Sequence, residues 1–138
     1  MFFPNNISTS GLNLIKQRCD PTVWNYVLDQ QDKGWRIYCV LQGRGRCYYR
    51  ERVITIPFWT IEVNSKKPGY ITWYVAHELA HSMDRNNYNH GPAFMAELKR
   101  ICPPASWHYE TSYKKRNAVS AGISQCQALN TGEIPDDF

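Results

Sequence analysis

The middle of the chain carries apolar residues at four-residue steps, the spacing that gives a helix one continuous apolar stripe. The positions are Ile71, Val75, Leu79 and Met83. A Pro68-Gly69 turn precedes this run, and Thr72 is a candidate N-cap. The pattern predicts a helix over residues 71–85 that ends in the Asn-rich segment after Arg85.

Two further stripes predict two further helices. Pro92 suits the first turn of one helix, which ends at Cys102 because two prolines follow. Its apolar positions are Phe94, Met95, Leu98 and Ile101. The other helix covers residues 22–31 and is capped by Asp20. Its apolar positions are Val23, Trp24, Val27 and Leu28.

Three extended segments lie between these helices, over residues 35–42, 46–52 and 53–58. A Gly-Arg-Gly turn separates the first two, so they are expected to pair as an antiparallel hairpin. Pro57 cannot donate a hydrogen bond to a neighbouring strand, so residues 53–58 are the candidate edge strand, where the backbone of a substrate could pair.

The order of these elements predicts an α+β fold, in which a small antiparallel sheet packs on the 71–85 helix and further helices flank it. At 138 residues the chain is long enough for a single domain over residues 1–138. Its composition, 43% hydrophobic and 14% aromatic, excludes a disordered class. Residues 109–120 are a further helical candidate, and the tail from Thr131 is expected to be loose.

No apolar run approaches the roughly 20 residues that span a bilayer, and the first residues lack the pattern of a signal peptide. The expectation is therefore a cytoplasmic protein without membrane contact. The cysteines are Cys19, Cys39, Cys47, Cys102 and Cys126. None forms a CxxC pair, which argues against a zinc ribbon. Reduced thiols are expected, with a Cys39–Cys47 bridge across the hairpin as the competing possibility.

The candidate chemistry lies in the run His-Glu-Leu-Ala-His at residues 77–81, followed by His90. On a helix, His77 and His81 lie one turn apart on one side, so both rings can bind the same metal ion. His90 is the candidate third ligand, which predicts one zinc ion per chain. The other interpretation is that these histidines lie inert on a partly buried helix face.

A catalytic zinc ion has three protein ligands and a water molecule whose pKa falls to about 7. A carboxylate must then accept the proton of that water and pass it to a leaving amine. Glu78 follows the first histidine of the motif and is the candidate general base. The predicted reaction is hydrolysis of a peptide bond by a zinc-activated water that Glu78 deprotonates.

The sequence HELAH, an eight-residue interval and then HGPAFMAELKRI resemble the core of the SprT-like (Spartan-type) zinc metalloprotease family. The preceding GRCYYR and VITIP are similar to the hairpin and strand that lead into that motif. The resemblance covers about residues 35–102. It implies a zincin-like protease core, zinc on His77, His81 and His90, Glu78 as catalytic base, and substrates that include DNA-bound or DNA-crosslinked proteins.

A net charge of +4 is weak evidence for any partner, but two basic segments are candidate nucleic-acid contacts. They are Arg44, Arg46, Arg50 and Arg52, with Tyr48 and Tyr49 among them, and Lys114, Lys115 and Arg116. Interleaved basic and aromatic residues suit phosphate contact and base stacking. The alternative is that the arginines are solvated and pair with Glu51 or Glu62.

Two functions follow from these patterns. The first is a zinc-dependent endopeptidase that acts on a protein or peptide substrate, with DNA as a candidate partner. The second is a noncatalytic, zinc-stabilised module that binds nucleic acid or protein. Asp84 could orient a ligand or balance Arg85, and the sequence leaves both roles open.

Overall fold

The structure is a computed structural model that describes residues 2–84 and 90–112. It is α+β, as predicted. The elements in chain order are α1 (Thr9–Arg18), α2 (Pro21–Asp32), β1 (Arg36–Val40), β2 (Arg46–Tyr48), β3 (Val53–Pro57), α3 (Trp59–Lys66), α4 (Tyr70–Met83), α5 (Pro92–Ile101) and a 3₁₀ turn (Pro104–Ser106). Residues 108–112 are again helical, which agrees with the described part of the 109–120 prediction.

The strands form a mixed sheet in the order β1-β3-β2, so the predicted antiparallel hairpin is wrong. β3 lies between the other two, parallel to β1 and antiparallel to β2. The prediction that residues 53–58 form an edge strand is therefore also wrong. All five residues of β3 are buried. A strand with apolar residues on both faces buries the most apolar surface when it lies in the centre of a sheet.

The two outer strands differ in how their free edges are covered. The N-terminal segment runs along β1, where the Leu41 amide donates to the Asn6 carbonyl at 2.8 Å and the Ser8 amide to the Cys39 carbonyl at 2.9 Å. β2 has one strand neighbour, β3, within the described residues. It is shorter than the predicted 46–52, because the chain turns before β3 and Arg52 takes a positive φ of 56°. The open edge is therefore β2.

Helix α2 agrees with its prediction at the cap, where Asp20 accepts a hydrogen bond from the Thr22 amide at 2.8 Å. Its predicted apolar face is wrong at one position, since Leu28 is 45% exposed. The predicted cap of α4 is wrong as well. That helix begins after Gly69, whose φ is 81°, and Thr72 is buried inside it, where its hydroxyl accepts from the Asp20 amide.

Helix α4 forms the centre of the molecule. Every residue from Tyr70 to Ser82 is buried, because β2 and β3 of the sheet and helices α1, α2, α3 and α5 all contact it. The predicted stripe is buried at Ile71, Val75 and Leu79 and half-buried at Met83. A helix buried on all sides is expected to be apolar all round, so its buried histidines and glutamate require partners.

None of the four described cysteines forms a disulfide. Cys39 on β1 and Cys47 on β2 are separated by the intervening β3, which places their backbones at least about 9–10 Å apart at ordinary strand spacing. That distance is beyond the reach of a disulfide, so the competing Cys39–Cys47 bridge is wrong. Among the described helices, none combines the length and apolar character that crossing a bilayer requires.

Candidate metal centre

The first two candidate ligands lie on successive turns of α4. His77 is 1% exposed and His81 4% exposed, and their ring centroids are 5.0 Å apart. This is the arrangement that the four-residue spacing predicts. The helix therefore fixes the two rings relative to each other before any third ligand is added.

The third candidate enters from α5. His90 lies just before Gly91 and Pro92, where α5 begins, and α5 packs against α4. Its Nε2 atom lies 3.0 Å from Nε2 of His77 and 3.1 Å from Nε2 of His81. Three nitrogens bound tetrahedrally at ordinary zinc distances would be about 3.3 Å apart. The three histidines are therefore close enough to bind one metal ion.

A buried glutamate fixes the orientation of the first ring. The Nδ1 atom of His77 lies 2.7 Å from Oε1 of Glu110, and Glu110 is 3% exposed. A carboxylate can only accept, so the proton of the neutral ring belongs on Nδ1. Nε2 of His77 then presents its lone pair to the other two histidines. A cation at that point is the simplest partner for nitrogens arranged in this way.

Glu110 is held by α4 from a second position. The Nε1–H of Trp73 donates to the same Oε1 atom at 3.1 Å, and Trp73 lies one turn before His77. Burial by itself raises the pKa of the Glu110 carboxyl, but attraction to His77, the hydrogen bond from it, His90 and the Trp73 bond outweigh burial. The net effect lowers the pKa of Glu110, which therefore favours the ionised form that His77 needs.

Sequence reasoning missed Glu110. It lies 33 positions after His77 in an aromatic segment, and no spacing rule connects the two. The two residues before Glu110 have different surroundings. His108 is exposed, and the hydroxyl of Tyr109 donates to the Pro68 carbonyl at 2.7 Å. The signal that was available is a single acidic residue among aromatic residues that are expected to be buried.

Phe94 forms the apolar floor of the cluster. Its ring centroid lies 4.9 Å from that of His77, 4.4 Å from that of His81 and 4.8 Å from that of His90. It is 0% exposed and belongs to the predicted apolar stripe of α5. The same stripe that attaches α5 to α4 thus packs against all three imidazoles, which excludes water from one side of the cluster.

Glu78 is 0% exposed and lies on α4 between the two histidines of the motif. It shares a helix face with Tyr74, one turn earlier, whose hydroxyl accepts from the Gly45 amide at 2.8 Å. Gly45 comes directly before β2. The face of α4 that carries Glu78 is therefore the face on which the open edge strand begins.

Asp84 caps the C-terminal end of α4 and is 6% exposed. No described residue donates to its Oδ2 atom, and Arg85, its proposed partner, lies outside the described residues. The structure therefore assigns Asp84 neither of its two predicted roles.

The basic residues of the 44–52 segment do not form one patch. Arg44 and Arg46 line a polar groove of about 370 Å³, whereas Arg50 and Arg52 lie at the opposite end of β2. Arg52 donates to the Lys33 carbonyl at 2.9 Å. Within the described residues, none of these arginines forms an ion pair with Glu51 or Glu62.

The two tyrosines of this segment contact other rings of the chain. The ring of Tyr48 lies 4.9 Å from that of Phe2, and the ring of Tyr49 lies 6.4 Å from that of Trp35. Base stacking on them would compete with these contacts. Lys114, Lys115 and Arg116 lie outside the described residues. Nucleic-acid contact by either segment stays a prediction.

Comparison of the chain with family models, with curated proteins and with solved structures finds no match in any of the three. The likeness to SprT-like proteases therefore depends on the motifs at residues 77–81 and 90–101 and stays a prediction.

Proposed function

We propose that the chain is a zinc-dependent endopeptidase with a zincin-like core of the SprT-like type. His77, His81 and His90 hold the metal, and Glu78 is the general base. The observation that carries this proposal is that Nε2 of His90 lies 3.0 and 3.1 Å from those of His77 and His81, while the fully buried Glu78 lies on the helix that carries those two histidines.

The donor set suits zinc. Three imidazole nitrogens are poor ligands for calcium or magnesium, which prefer oxygen, and a three-histidine set is one that catalytic zinc sites use. Zinc bound there would lower the pKa of a water to about 7 and polarise a peptide carbonyl. Glu110 supports this choice, because a histidine ligand of zinc commonly donates its other N–H to a carboxylate.

The role of Glu78 follows from its position on α4. Its carboxylate accepts a proton from the attacking water as the new carbon–oxygen bond forms. It then gives that proton to the amide nitrogen as the carbon–nitrogen bond breaks, so the carboxylate is regenerated. Burial of Glu78 at 0% exposure keeps this proton transfer away from bulk solvent.

The substrate backbone pairs with β2. This strand is the open edge of the sheet, and Gly45 at its start is bonded to Tyr74, one turn from Glu78. Pairing through backbone groups gives affinity with little sequence preference. Proteins bound to or crosslinked with DNA are the substrates that the motif resemblance favours, with Arg44 and Arg46 as the candidate DNA contacts.

The test combines metal analysis with proteolysis of an unfolded protein substrate. Glu78→Gln should retain one zinc ion per chain and lose about 10²–10⁴-fold in turnover, the range that a general base supplies. Glu97→Gln is the matched control, because Glu97 is partly exposed on α5 and pairs with Arg100. If Glu78→Gln cleaves as fast as the unchanged protein, the noncatalytic zinc-stabilised module becomes the better description.

The DNA part of the proposal has its own test. Binding of single-stranded and double-stranded DNA is measured at about 50 and 200 mM salt, between which electrostatic binding through several phosphates weakens steeply. Arg44→Ala with Arg46→Ala should weaken binding at the lower salt. Absence of binding at low salt removes DNA from the proposal and leaves the peptidase intact.

A further inference from the structure

We propose that Glu110 is the positioning residue of the metal centre and that it couples metal binding to docking of residues 104–112. Its carboxylate holds the His77 ring with Nε2 directed at the metal position. This inference rests on the proposed metal site but not on the proposed proteolysis.

The first step of the argument is the shared oxygen. Oε1 of Glu110 accepts from Nδ1 of His77 at 2.7 Å and from Nε1 of Trp73 at 3.1 Å. Trp73 and His77 are four residues apart, so one oxygen atom bridges two successive turns of α4. The Trp73 bond fixes the carboxylate, and the carboxylate in turn fixes the rotation of the His77 ring.

The second step is that Glu110 belongs to a different part of the chain from the motif. Residues 104–112 dock near the start of α4, where the Ser106 hydroxyl donates to the Gly69 carbonyl at 3.0 Å and the Tyr109 hydroxyl to the Pro68 carbonyl. The Tyr109 ring also packs on those of Tyr70 and Trp73, with centroids 5.4 and 6.1 Å away. The segment therefore has contacts of its own that do not involve the histidines.

The third step is linkage. A cation on Nε2 of His77 makes its Nδ1–H a stronger donor, so metal binding strengthens the bond to Glu110. By thermodynamic reciprocity, a docked Glu110 strengthens metal binding by the same factor. The segment after α5 is therefore a functional part of the centre, although it supplies no metal ligand.

The direct measurement is the zinc dissociation constant, obtained by competition with a chromogenic chelator. Glu110→Ala should weaken zinc binding by about 10–100-fold, the range measured for lost partners of ligand histidines. Glu110→Gln keeps an acceptor oxygen but not the charge, so its loss should be smaller. Trp73→Phe keeps the His77 bond and should also lose less than Glu110→Ala. Glu97→Gln, the control on α5, should bind zinc like the unchanged chain.

A second readout separates positioning from mere packing. Backbone amides of residues 104–112 are followed by hydrogen exchange with and without zinc. Zinc should increase their protection in the unchanged chain and have a smaller effect in Glu110→Gln, a nearly isosteric variant, in proportion to its loss of zinc affinity. A purely structural Glu110 would alter exchange equally in both metal states, and that result would overturn the proposal.

The outcomes distinguish this inference from the proposed function. Zinc dissociation constants of Glu110→Gln and Glu110→Ala within twofold of the unchanged value overturn the role of Glu110, while Glu78→Gln still tests the peptidase. A chain that binds no zinc at all overturns both. If Glu110→Ala does not fold, the Glu110→Gln constant and its exchange pattern decide the question.

Discussion

The two sides of α4 differ in the sequence separation of the residues that contact each other there. On the α5 side, His77, His81 and His90 lie within one short stretch of sequence, and their geometry follows from helical spacing and from the packing of α5 against α4. On the sheet side, the order β1-β3-β2 depends on pairing between segments that are not neighbours. The comparison shows that sequence spacing specifies the histidine cluster more directly than it specifies the sheet beside it.

The largest expected effect is on the α5 side. His81→Ala removes one of the three candidate ligand nitrogens, the one that lies 3.1 Å from Nε2 of His90, so zinc affinity should fall by more than the roughly 100-fold limit for the loss of a residue that only supports a ligand. The measurement is zinc per chain after dialysis against a weak chelator, with an expected change from one to near zero. His108→Ala is the matched control, because this exposed histidine lies outside the cluster. Equal zinc loss in both variants would contradict the assignment of ligands.

The part of the histidine cluster that the sequence predicts consists of residues close together along the chain. The i, i+4 spacing placed His77 and His81 on one side of a helix, and the Pro92 start of α5 placed His90 at a helix entrance. Glu110 was not predictable in the same way, because its partner lies across the fold and no pattern in residues 104–112 identifies that partner. Only the docking of the segment on α4 brings them together.

The next effect compares apolar residues on the two sides. Phe94→Ala removes a fully buried ring that packs on all three histidines, so the free energy of unfolding should fall by about 3–5 kcal/mol. Phe3→Ala, on the outer face of the sheet, should cost less than about 1 kcal/mol because Phe3 is 57% exposed. Denaturant unfolding of the metal-free proteins measures both values. Similar losses for the two variants would contradict the unequal burial of the two sides.

The sheet was predicted less well for a physical reason. The Gly-Arg-Gly turn at residues 43–45 has the composition of a hairpin turn, yet β3 replaces β2 as the neighbour of β1. The replacement buries Ile54 and Ile56 in the core cluster, while Val53 and Pro57 are buried on the other face of the strand. The apolar surface that becomes buried lies on both faces of one strand, and the composition of a local turn contains no information about it.

A smaller effect is expected at the contact between the start of β2 and helix α4. At Gly45 an added Cβ would lie 2.5 Å from Cε1 of Tyr74, so Gly45→Ala forces apart the start of β2 and α4. Overpacking of this kind costs about 1–3 kcal/mol. In the proposed enzyme it should also raise KM more than it alters zinc affinity. Tyr74→Phe removes the hydrogen bond without the clash and is the companion variant. Unchanged stability in both would mean that this contact does not hold the edge strand.

The smallest expected effect is the pH dependence of stability that the buried thiols of Cys19 and Cys102 produce. Burial, the largest cause, raises the pKa of Cys19 and of Cys102 from 9.0 to about 12. Between these values the unfolded chain loses thiol protons that the folded chain keeps, so stability is fully present below pH 9 and decreases as pH rises toward 12. The midpoint of denaturant unfolding should therefore be lower at pH 10 than at pH 8. The difference between the two pH values should be smaller in the double variant Cys19→Ala with Cys102→Ala.

Thiol labelling sharpens the same comparison at neutral pH. Cys19 and Cys102, at the ends of α1 and α5, are 4% and 2% exposed, whereas Cys47 on β2 is half-buried. In a Cys126→Ser background, a disulfide reagent at pH 8 should modify Cys47 first and the three buried thiols, Cys39 among them, only on unfolding, because the thiolate is the reactive species. Early modification of Cys102 would show that α5 opens readily, and the cluster that α5 completes would then be no more rigid than the open strand edge.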